Sequence, residues 1–300
     1  MIPIPRRRRL WRGSIAAGLL ACAAAAAAAA GPVSPALAPL QVIYPHIEER
    51  AADDYGFRVL RLALDKAGLP HTLQRSAHPM NQQRARLALE QGHISIFDTG
   101  TSADFEERFD AVYFPVDRGL SGFRLLLIHR DNASAFAKVS NREGLARWRA
   151  GQGPGWADIA ILEEGGIRVQ TAEFGDLPKL LQAKRIDFYP LGMEEIGAVL
   201  ARNKARAPDL TIEPHLALHY DFARLFFVRK GDHVLRDAVL LGLGRAFEDG
   251  SLVQLLESDA GFRRSLAAAG IRRRQLIELA NPNLTRAYHQ IPRKYFYTIE

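Results

Sequence analysis

The stretch Leu180-Leu181-Gln182-Ala183-Lys184-Arg185-Ile186-Asp187-Phe188-Tyr189 runs from a helical pattern directly into a short apolar strand. The helix is expected over 177–184 and the strand over 186–189, with a further strand just upstream over 167–171. Strand, helix and strand in this order are typical of a parallel sheet that helices cover on both faces. The sequence therefore predicts an α/β fold.

The same alternation extends from this stretch in both directions. Other strands are predicted over 40–44, 71–74, 94–97, 123–129, 210–218 and 223–229. Other helices are predicted from a cap at Asp53 or Asp54 to a stop at Gly68, and over 82–91, 141–149, 157–164 and 193–206. The region 232–279 is predicted to be helical throughout, with breaks at Gly250, Gly261 and Gly270. Two α/β rounds, a return strand and terminal helices indicate two lobes joined by crossing strands.

The N-terminus has the three parts of an export signal. Arg6 to Arg9 and Arg12 precede an uncharged run over 13–30, and a small-residue segment ends at Ala38. A basic region, an apolar region and an exit of this kind predict a secretory signal peptide over 1–38. The mature protein is then expected in the periplasm. Cys22 leaves open an alternative, in which lipidation of this residue tethers the protein to a membrane surface.

Removal of the leader changes the charge argument. The whole chain has 40 Lys and Arg against 33 Asp and Glu, a net charge of +7, but five of the arginines lie in the leader. The near-neutral remainder gives no basic footprint for nucleic acid, so a nucleic-acid partner is not expected. The single cysteine also lies in the leader, so the mature core is expected to hold without a disulfide.

Three motifs link the chain to a known family. They are Gly151-Gln152-Gly153-Pro154-Gly155-Trp156, Gly119-Leu120-Ser121-Gly122-Phe123-Arg124, and the strand end Asp187-Phe188-Tyr189-Pro190. With Ile167-Arg168-Val169 between them, they resemble the type II periplasmic solute-binding proteins (family 3) that serve polar amino-acid uptake. The resemblance covers almost the whole mature chain. The motifs are more narrowly similar to a stand-alone subgroup that shares Gly-Gln-Gly-x-x-Trp.

The resemblance implies a two-lobed fold in which each lobe is a mainly parallel sheet flanked by helices. Lobe 1 would comprise 39–125 and 225–300, and lobe 2 would comprise 126–224. Such a protein is a monomer that closes around a small polar solute, amino-acid-like or related. It has no cofactor or metal and is not an enzyme. The expected partners are the solute and, in trans, the permease of an ABC transporter or a membrane sensor.

The predicted ligand-binding residues lie at strand ends and in the glycine-rich segment. Glycines let backbone N–H groups approach an anion, Trp156 provides an apolar or cation–π wall, and Glu194 accepts an ammonium group. The full set is Tyr44, Thr99, Thr101, Arg118, Gln152, Trp156, Tyr189 and Glu194. Two structural alternatives stay open: a surface turn around a core tryptophan, and acidic residues that only favour a helix N-terminus.

One departure from the family bears on the ligand. Amino-acid binders of this fold carry an arginine shortly after a threonine in the third loop of the first lobe, where it grips the ligand carboxylate. Here the loop reads Thr99-Gly100-Thr101-Ser102-Ala103-Asp104 and has no arginine until Arg108. An amino-acid ligand then requires that Arg84, Arg118 or Arg124 take over the bidentate contact.

Other patterns give weaker alternatives. Asp98-Thr99-Gly100 matches an aspartic-protease motif, but that chemistry needs a second such motif, which the sequence does not contain. His215 and His219 have a zinc-ligand spacing only on a helix, and Pro214 favours a strand there. A lyase or dehydratase would need an acid–base pair, for which Glu194 with a nearby histidine is the candidate. The basic and aromatic tail over 288–297 is expected to pack on the first lobe.

Overall fold

The computed structural model of the protein describes residues 38–48 and 54–298. The predicted leader, with Cys22, lies outside the described residues except for Ala38. The strands are β1 (Leu40–Ile47), β2 (His71–Met80), β3 (Ile96–Gly100), β4 (Phe109–Val112), β5 (Phe123–His129), β6 (Arg149–Gln152), β7 (Arg168–Thr171), β8 (Phe188–Gly192), β9 (Leu210–Ile212), β10 (Leu216–His219), β11 (Arg224–Arg229) and β12 (Gln275–Glu278). The helices are α1 (Tyr55–Ala67), α2 (Gln82–Glu90), α3 (Ala103–Arg108), α4 (Ala133–Phe136), α5 (Arg142–Leu145), α6 (Asp158–Glu164), α7 (Leu177–Gln182), α8 (Ile196–Asn203), α9 (His233–Glu248), α10 (Ser251–Ser258), α11 (Ala260–Ala269) and α12 (Arg286–His289).

The first lobe is built on two small sheets. Strands β1 and β2 pair in parallel, and β11 lies between β3 and β4 with both pairings antiparallel. The backbone N–H of Ser95 donates to the carbonyl of Ile43 at 2.8 Å, which links the start of β3 to β1. Polar residues at the end of β3 therefore lie close to those on β1 and β11.

The sequence explains where helix α1 begins and ends and which of its faces packs on this lobe. Asp54 accepts a hydrogen bond from the N–H of Phe57 as the N-cap, and Gly68 ends the helix at φ 75°, a left-handed conformation that glycine adopts without strain. The buried face of α1 includes Leu60 and Leu64, and it packs on α9. The predicted cap and stop of this helix are confirmed.

The second lobe contains one seven-stranded sheet. Its order is β12-β10-β5-β8-β6-β7, and β9 also pairs with β5. The pairings of β6 with β7, β6 with β8 and β10 with β12 are parallel, whereas β5 is antiparallel to β8, β9 and β10. The expected α/β class is confirmed, although strand directions are more mixed than a mainly parallel sheet.

Two chain segments cross between the lobes side by side. The first leads from β4 to β5 through 113–122, and the second leads from β10 to β11 through 220–223. They touch where the N–H of Tyr220 donates to the carbonyl of Gly122 at 3.2 Å. A Cβ on Gly122 would overlap the carbonyl oxygen of Tyr220, so glycine permits this close approach.

Several predicted elements are wrong in detail. The helical region expected over 232–279 is interrupted at Gly250 and Gly270 as predicted, but it ends earlier, because Gln275–Glu278 forms β12 beside β10. The helix expected over 141–149 is limited to Arg142–Leu145, and Arg149–Gln152 forms a buried strand, so Gly151 and Gln152 are not in a turn. The strand expected over 210–218 is divided into β9 and β10.

The C-terminal segment packs on the first lobe as expected. Tyr288 and Ile291 are buried in a cluster with Leu225 and Phe227 of β11. Strand β12, by contrast, belongs to the sheet of the second lobe. The lobe boundaries at 125/126 and 224/225 stay a prediction. Within 38–48 and 54–298, no helix combines the length and the apolar character needed to cross a bilayer.

Candidate ligand-binding site

Asp98 is the buried centre of the first-lobe side of the site. It lies on β3 with no exposed surface, and it accepts hydrogen bonds from the Tyr44 hydroxyl on one oxygen and from Nη2 of Arg224 on the other. A Cβ on Gly56 would lie 2.6 Å from the Tyr44 hydroxyl oxygen and 2.8 Å from Oδ1 of Asp98. The start of α1 thus closes over this carboxylate, and both of its oxygens are used to orient other side chains.

The first crossing segment contributes a second carboxylate. Asp117 accepts from the N–H of Gly119 at 3.1 Å, from the N–H of Ser121 at 2.9 Å and from the Ser121 hydroxyl. The same Ser121 oxygen lies 3.3 Å from Oε1 of Glu194. A hydroxyl has one proton to donate, so Ser121 serves one carboxylate as donor, and a protonated Glu194 can donate to it in turn.

Glu194 comes from the second lobe, two residues after the end of β8. Burial raises the pKa of its carboxyl, and the negative charges of Glu195 and Asp117 raise it further against the opposing charge of Arg124. Its side chain nevertheless keeps solvent-accessible surface. A carboxylate that is surrounded by protein and still accessible lines a cleft, because a core residue would have no such surface.

Arg224 carries the charge that faces these acids. Burial lowers the pKa of its guanidinium, but the charges of Asp98, Asp117 and Glu194 outweigh that effect and raise the pKa well above its ordinary value. We call Asp98, Asp117, Glu194, Glu195 and Arg224 the central cluster. It has four acids and one arginine, so it attracts positive charge and offers one cationic group.

Arg124 forms a separate, fully buried unit beside the central cluster. Its Nη2 lies 2.9 Å from Oδ1 of Asp158 at the start of α6, and its Nε donates to the Tyr220 hydroxyl at 2.7 Å. Its Nη1 lies 3.9 Å from Oε1 of Glu195. Because its donors face Asp158 and Tyr220, Arg124 holds the crossing segment to the second lobe.

Several buried polar atoms have no hydrogen-bond partner. Among the residues that the structure describes, these atoms include the hydroxyl of Tyr55, Nε of Arg224 and Oε1 of Gln152. Burial, followed by the charge of Asp117, raises the pKa of Tyr55, and Arg224 acts in the opposite direction. Tyr55 at the start of α1 therefore lies within electrostatic reach of the central cluster.

The structure connects only some of the predicted site residues. Tyr44 and Arg224 both donate to Asp98, and Glu194 lies within electrostatic reach of Arg224. Thr101 instead donates to Oε1 of Glu106 at 2.6 Å inside the first lobe.

Three other predicted residues lie on strands within one lobe or the other. Thr99 lies on β3 with its hydroxyl 3.4 Å from Oε1 of Gln82, while Gln152 and Tyr189 have no exposed surface and lie in the second lobe. The Nε2 of Gln152 donates to the carbonyl of Pro190 at 3.4 Å.

Arg118 contacts the C-terminal segment. Its guanidinium donates to the carbonyls of Tyr295 and Phe296 at 3.2 and 3.0 Å, and the N–H of Tyr297 donates back to the Arg118 carbonyl at 2.7 Å. A cavity of about 530 Å³ lies beside this contact, lined by Arg118, Phe123, His219, Phe296 and Tyr297 among others. It is distinct from the central cluster.

Trp156 lies just before α6, two residues from Asp158. Its indole contacts Gly153, where a Cβ would lie 2.7 Å from Nε1, and its ring centroid is 6.0 Å from that of Phe174. The glycine-rich segment thus folds over the tryptophan.

Sequence reasoning missed Tyr55, Asp117, Ser121 and Arg224. One signal was available for Arg224, since it begins the run Arg224-Leu-Phe-Phe-Val, and a charge on the edge of a fully apolar strand needs a partner. Of the arginines considered from the sequence, Arg124 is paired with Asp158, Arg118 holds the tail, and Arg84 is exposed on α2.

A metal site does not emerge from the described ranges, which contain no group of three or more His, Cys, Asp or Glu residues placed to hold an ion.

Sequence comparison finds no related protein, whereas structural comparison finds similar solved structures. No protein-family model and no curated protein matches the sequence. The structure is similar to an ancestral arginine-binding protein bound to arginine, at a TM-score of 0.52 and 16% identity, with 72% of this chain and 96% of the other covered. The chain has the type II periplasmic-binding-protein fold.

Two further solved structures share this fold. One is the amino-acid ABC transporter substrate-binding protein AbpA of Streptococcus pneumoniae bound to L-arginine, with a TM-score of 0.54, 14% identity, and coverage of 75% of this chain and 95% of the other. The second is a histidine kinase sensor domain with similarity to periplasmic binding proteins, with a TM-score of 0.54, 15% identity, and coverage of 74% and 96%. The fold is thus found in both transport and sensing proteins.

Proposed function

We propose that this protein is an exported solute-binding protein that captures a small polar solute, amino-acid-like or related, by closing its lobes. The observation that carries the proposal is the contact between the first crossing segment and the second lobe, where Ser121 bonds to Asp117 and lies 3.3 Å from Oε1 of Glu194, which follows β8. Charged groups that meet where the chain crosses between two lobes suit a ligand that contacts both.

The hinge supplies the mechanism. The two crossing segments connect the lobes, and Asp117 and Ser121 lie on one of them, next to Glu194. A ligand that touches both lobes gains all its contacts only in the closed state. Binding therefore shifts the population from open to closed.

The binding role does not include catalysis. A lyase or dehydratase on this fold would need a base to work with the acid Glu194. The strongest charges acting on Glu194 come from Glu195, Asp117 and Arg124, none of which is a histidine. Two other carboxylates and an arginine beside Glu194 suit the binding of charged groups better than acid–base catalysis, which would need a proton acceptor such as a histidine to work with this acid.

Uptake and sensing are both supported by the fold comparison. Solute capture for the permease of an ABC transporter agrees with the amino-acid transporter proteins of this fold. A second role, as the periplasmic ligand-sensing partner of a membrane receptor, is favoured by the similar histidine kinase sensor domain. Uptake of a radiolabelled ligand by cells with and without this gene separates the two, since a sensor would leave uptake unchanged at constant transporter levels.

The primary test is a titration of the leaderless protein. Pools of amino acids, polyamines, organic acids and quaternary amines are added while the melting temperature and tryptophan fluorescence are followed. A ligand at 100 times its Kd adds about 2.7 kcal/mol to the free energy of unfolding, which raises the melting temperature by several degrees. A saturable shift supports the proposal, and no shift with any pool contradicts it.

Two tryptophan variants show which tryptophan gives the ligand-dependent fluorescence change. Trp148 stacks on Phe136 at 4.5 Å in the second-lobe core, whereas Trp156 lies near Asp158. Trp148→Phe should keep a ligand-dependent fluorescence change and Trp156→Phe should lose it. Trp156→Ala is expected to abolish binding without unfolding the protein. Unchanged affinity in that variant would remove the segment 151–156 from the site.

A further inference from the structure

The cavity of about 530 Å³ beside Arg118 is a second space of the size that small molecules occupy. Its walls come from both crossing segments, from 271–278 and from the C-terminal segment. Volumes between about 300 and 1,000 Å³ are typical of ligand pockets. None of the five residues of the central cluster lines this cavity. A ligand in the cavity would therefore be bound by other groups than those of the central cluster.

The walls of the cavity carry more basic than acidic side chains. Each acid on the walls has a basic partner there: Nδ1 of His219 lies 2.7 Å from Oε2 of Glu278, and Nη1 of Arg293 lies 3.3 Å from Oδ1 of Asp221. Three more arginines then remain on the walls, namely Arg118, Arg272 and Arg274. A concave surface with an excess of guanidinium groups attracts anions.

Two of these arginines are held in place by neutral groups. Arg118 donates to the carbonyl of Phe296 at 3.0 Å, and Arg274 donates to the carbonyl of Leu216 at 3.0 Å. Carbonyl oxygens orient a guanidinium group without cancelling its charge. Burial lowers the pKa of both groups, which for Arg274 is opposed by Glu213 at 3.9 Å. An anion in the cavity would favour the charged form of both.

The run Arg272-Arg273-Arg274 directs only two of its members to the cavity. Arg272 and Arg274 line it, whereas Arg273 lies over Gly270, where a Cβ would be 3.3 Å from its Nη2. Arg272 and Arg273 are both exposed. They therefore differ in whether they reach the cavity, and they do not differ in type or in exposure class.

Aromatic rings form another part of the walls. The ring centroids of Phe123 and His219 lie 4.3 Å apart, and the guanidinium carbon of Arg118 lies 5.7 Å from the ring centroid of Tyr297. Phe123 and Tyr297 are half-buried, so each keeps accessible ring surface. Ring surface beside guanidinium groups suits a flat apolar body that carries an anionic group.

We propose that this cavity is a second binding site and that it takes a small aromatic anion. The carboxylate or phosphate group of the anion contacts Arg272 and Arg274, next to Arg118. Its ring packs against Phe123 and Tyr297. This site goes beyond the proposed solute-binding function and does not depend on which solute binds between the lobes.

The first test compares aromatic anions with neutral and ring-free analogues by calorimetry on the leaderless protein. The pairs are benzoate with benzamide, indole-3-acetate with indole-3-acetamide, and phenyl phosphate with phenol, and the ring-free anions are acetate and inorganic phosphate. At least one aromatic anion should bind about tenfold or more tightly than both kinds of analogue, as expected for hydrogen bonds to a charged group. The tighter-binding head group shows whether the site prefers a carboxylate or a phosphate. Equal binding of the neutral analogues, or no binding of any aromatic anion, overturns the inference.

Hydrogen exchange then shows where the anion binds. The N–H of Tyr297 donates to the Arg118 carbonyl at 2.7 Å beside the cavity. The tightest aromatic anion should slow exchange in the segment 293–298. Unchanged exchange there, with slower exchange at 187–195 behind β8, would place the anion between the lobes and overturn the inference. Unchanged exchange in both segments overturns it as well.

Arg272 and Arg273 provide a matched pair of variants. Arg272→Gln should weaken binding of the aromatic anion about tenfold, and Arg272→Glu should weaken it further, because like charges repel. Arg273→Gln and Arg273→Glu change the net charge equally and should leave the Kd unchanged. All four replace an exposed side chain, so the melting temperature of the free protein should stay the same. Equal effects at the two positions would be a response to net charge alone and would overturn the assignment.

Discussion

The Nη2 of Arg124 lies 2.9 Å from Oδ1 of Asp158, and the side chains of both residues are less than a tenth exposed. Arg124 begins the sheet of the second lobe at the end of the first crossing segment, whereas Asp158 begins α6. Tyr220 of the second crossing segment joins them, since its hydroxyl donates to Asp158 and accepts from Arg124. This buried unit connects both crossing segments to the second lobe.

Asp158→Asn should destabilise the protein strongly. The substitution leaves the Arg124 guanidinium buried beside a neutral amide, and removal of one member of a buried pair costs about 3–5 kcal/mol of unfolding free energy. Urea denaturation followed by circular dichroism measures the loss. Asp176→Asn is the control, because Asp176 pairs with Lys179 at 2.7 Å with both side chains more than half exposed, and it should change stability by less than about 1 kcal/mol. Similar losses in the two variants would show that burial of the Arg124 pair has no special effect.

Glu194→Gln should stabilise the protein at neutral pH. The folded-state pKa of Glu194 is raised by burial and by the charges of Glu195 and Asp117. The folded protein therefore holds this proton more tightly than the unfolded chain, and stability falls as the pH rises from the unfolded pKa through the folded one. The neutral glutamine removes this loss, so its melting temperature should depend less on pH between 4.5 and 7. In the proposed site Glu194 faces the ligand, so we expect the variant to bind its solute less tightly.

Asp249→Asn provides the opposite case as a control. Hydrogen bonds from Lys66 and Ser251 lower the pKa of Asp249 to about 2. Its contribution to stability is present above the unfolded pKa and is lost as the pH falls through the folded one. The asparagine variant should thus lose stability at neutral pH, where Glu194→Gln gains it. A loss of stability at pH 7 in Glu194→Gln would contradict the raised pKa of that group.

Local signals in the sequence were sufficient to predict the elements whose limits are set by neighbouring residues in the chain. Asp54 and Gly68 bound α1 as predicted, and β5 has the predicted limits at Phe123 and His129. Strand β12 was not predictable from local pattern, because Gln275–Glu278 becomes extended through pairing with β10, some 60 residues upstream. Tertiary contacts decided this element.

The site was less accessible to sequence reasoning than the fold. Of the predicted residues, Tyr44 and Glu194 belong to the proposed site, and they were chosen because ligands of this fold are expected near the ends of predicted strands. Asp117 and Arg224 were missed, since their role depends on two crossing segments that meet in space and are separated by about a hundred residues in the chain. A single sequence contains no signal for such a meeting.

Arg118→Ala should release the C-terminal segment. Arg118 adopts φ 55°, a left-handed conformation that is unfavourable for a residue with a side chain, and its guanidinium donates to successive tail carbonyls. Loss of these bonds should cost about 1–3 kcal/mol of unfolding free energy. Hydrogen exchange should become faster at the N–H of Tyr297, which donates to the Arg118 carbonyl. Arg293→Ala removes an exposed pair with Asp221 and should have little effect. Unchanged exchange at Tyr297 in Arg118→Ala would show that the tail is held by other contacts.

Gly242 and Gly244 lie two residues apart on α9 and should respond to alanine in opposite ways. A Cβ on Gly242 would overlap the carbonyl oxygen of Ala63 where α9 packs on α1, whereas a Cβ on Gly244 would meet no atom within 4 Å. Both gain helix propensity from alanine, worth about 0.8–1.0 kcal/mol. Gly244→Ala should therefore raise the unfolding free energy by up to this amount. Gly242→Ala should lower it by about 1–3 kcal/mol, because the helices must move apart. Denaturant melts of the two variants measure the difference, and stabilisation by both substitutions would mean that α1 and α9 pack less closely than the structure shows.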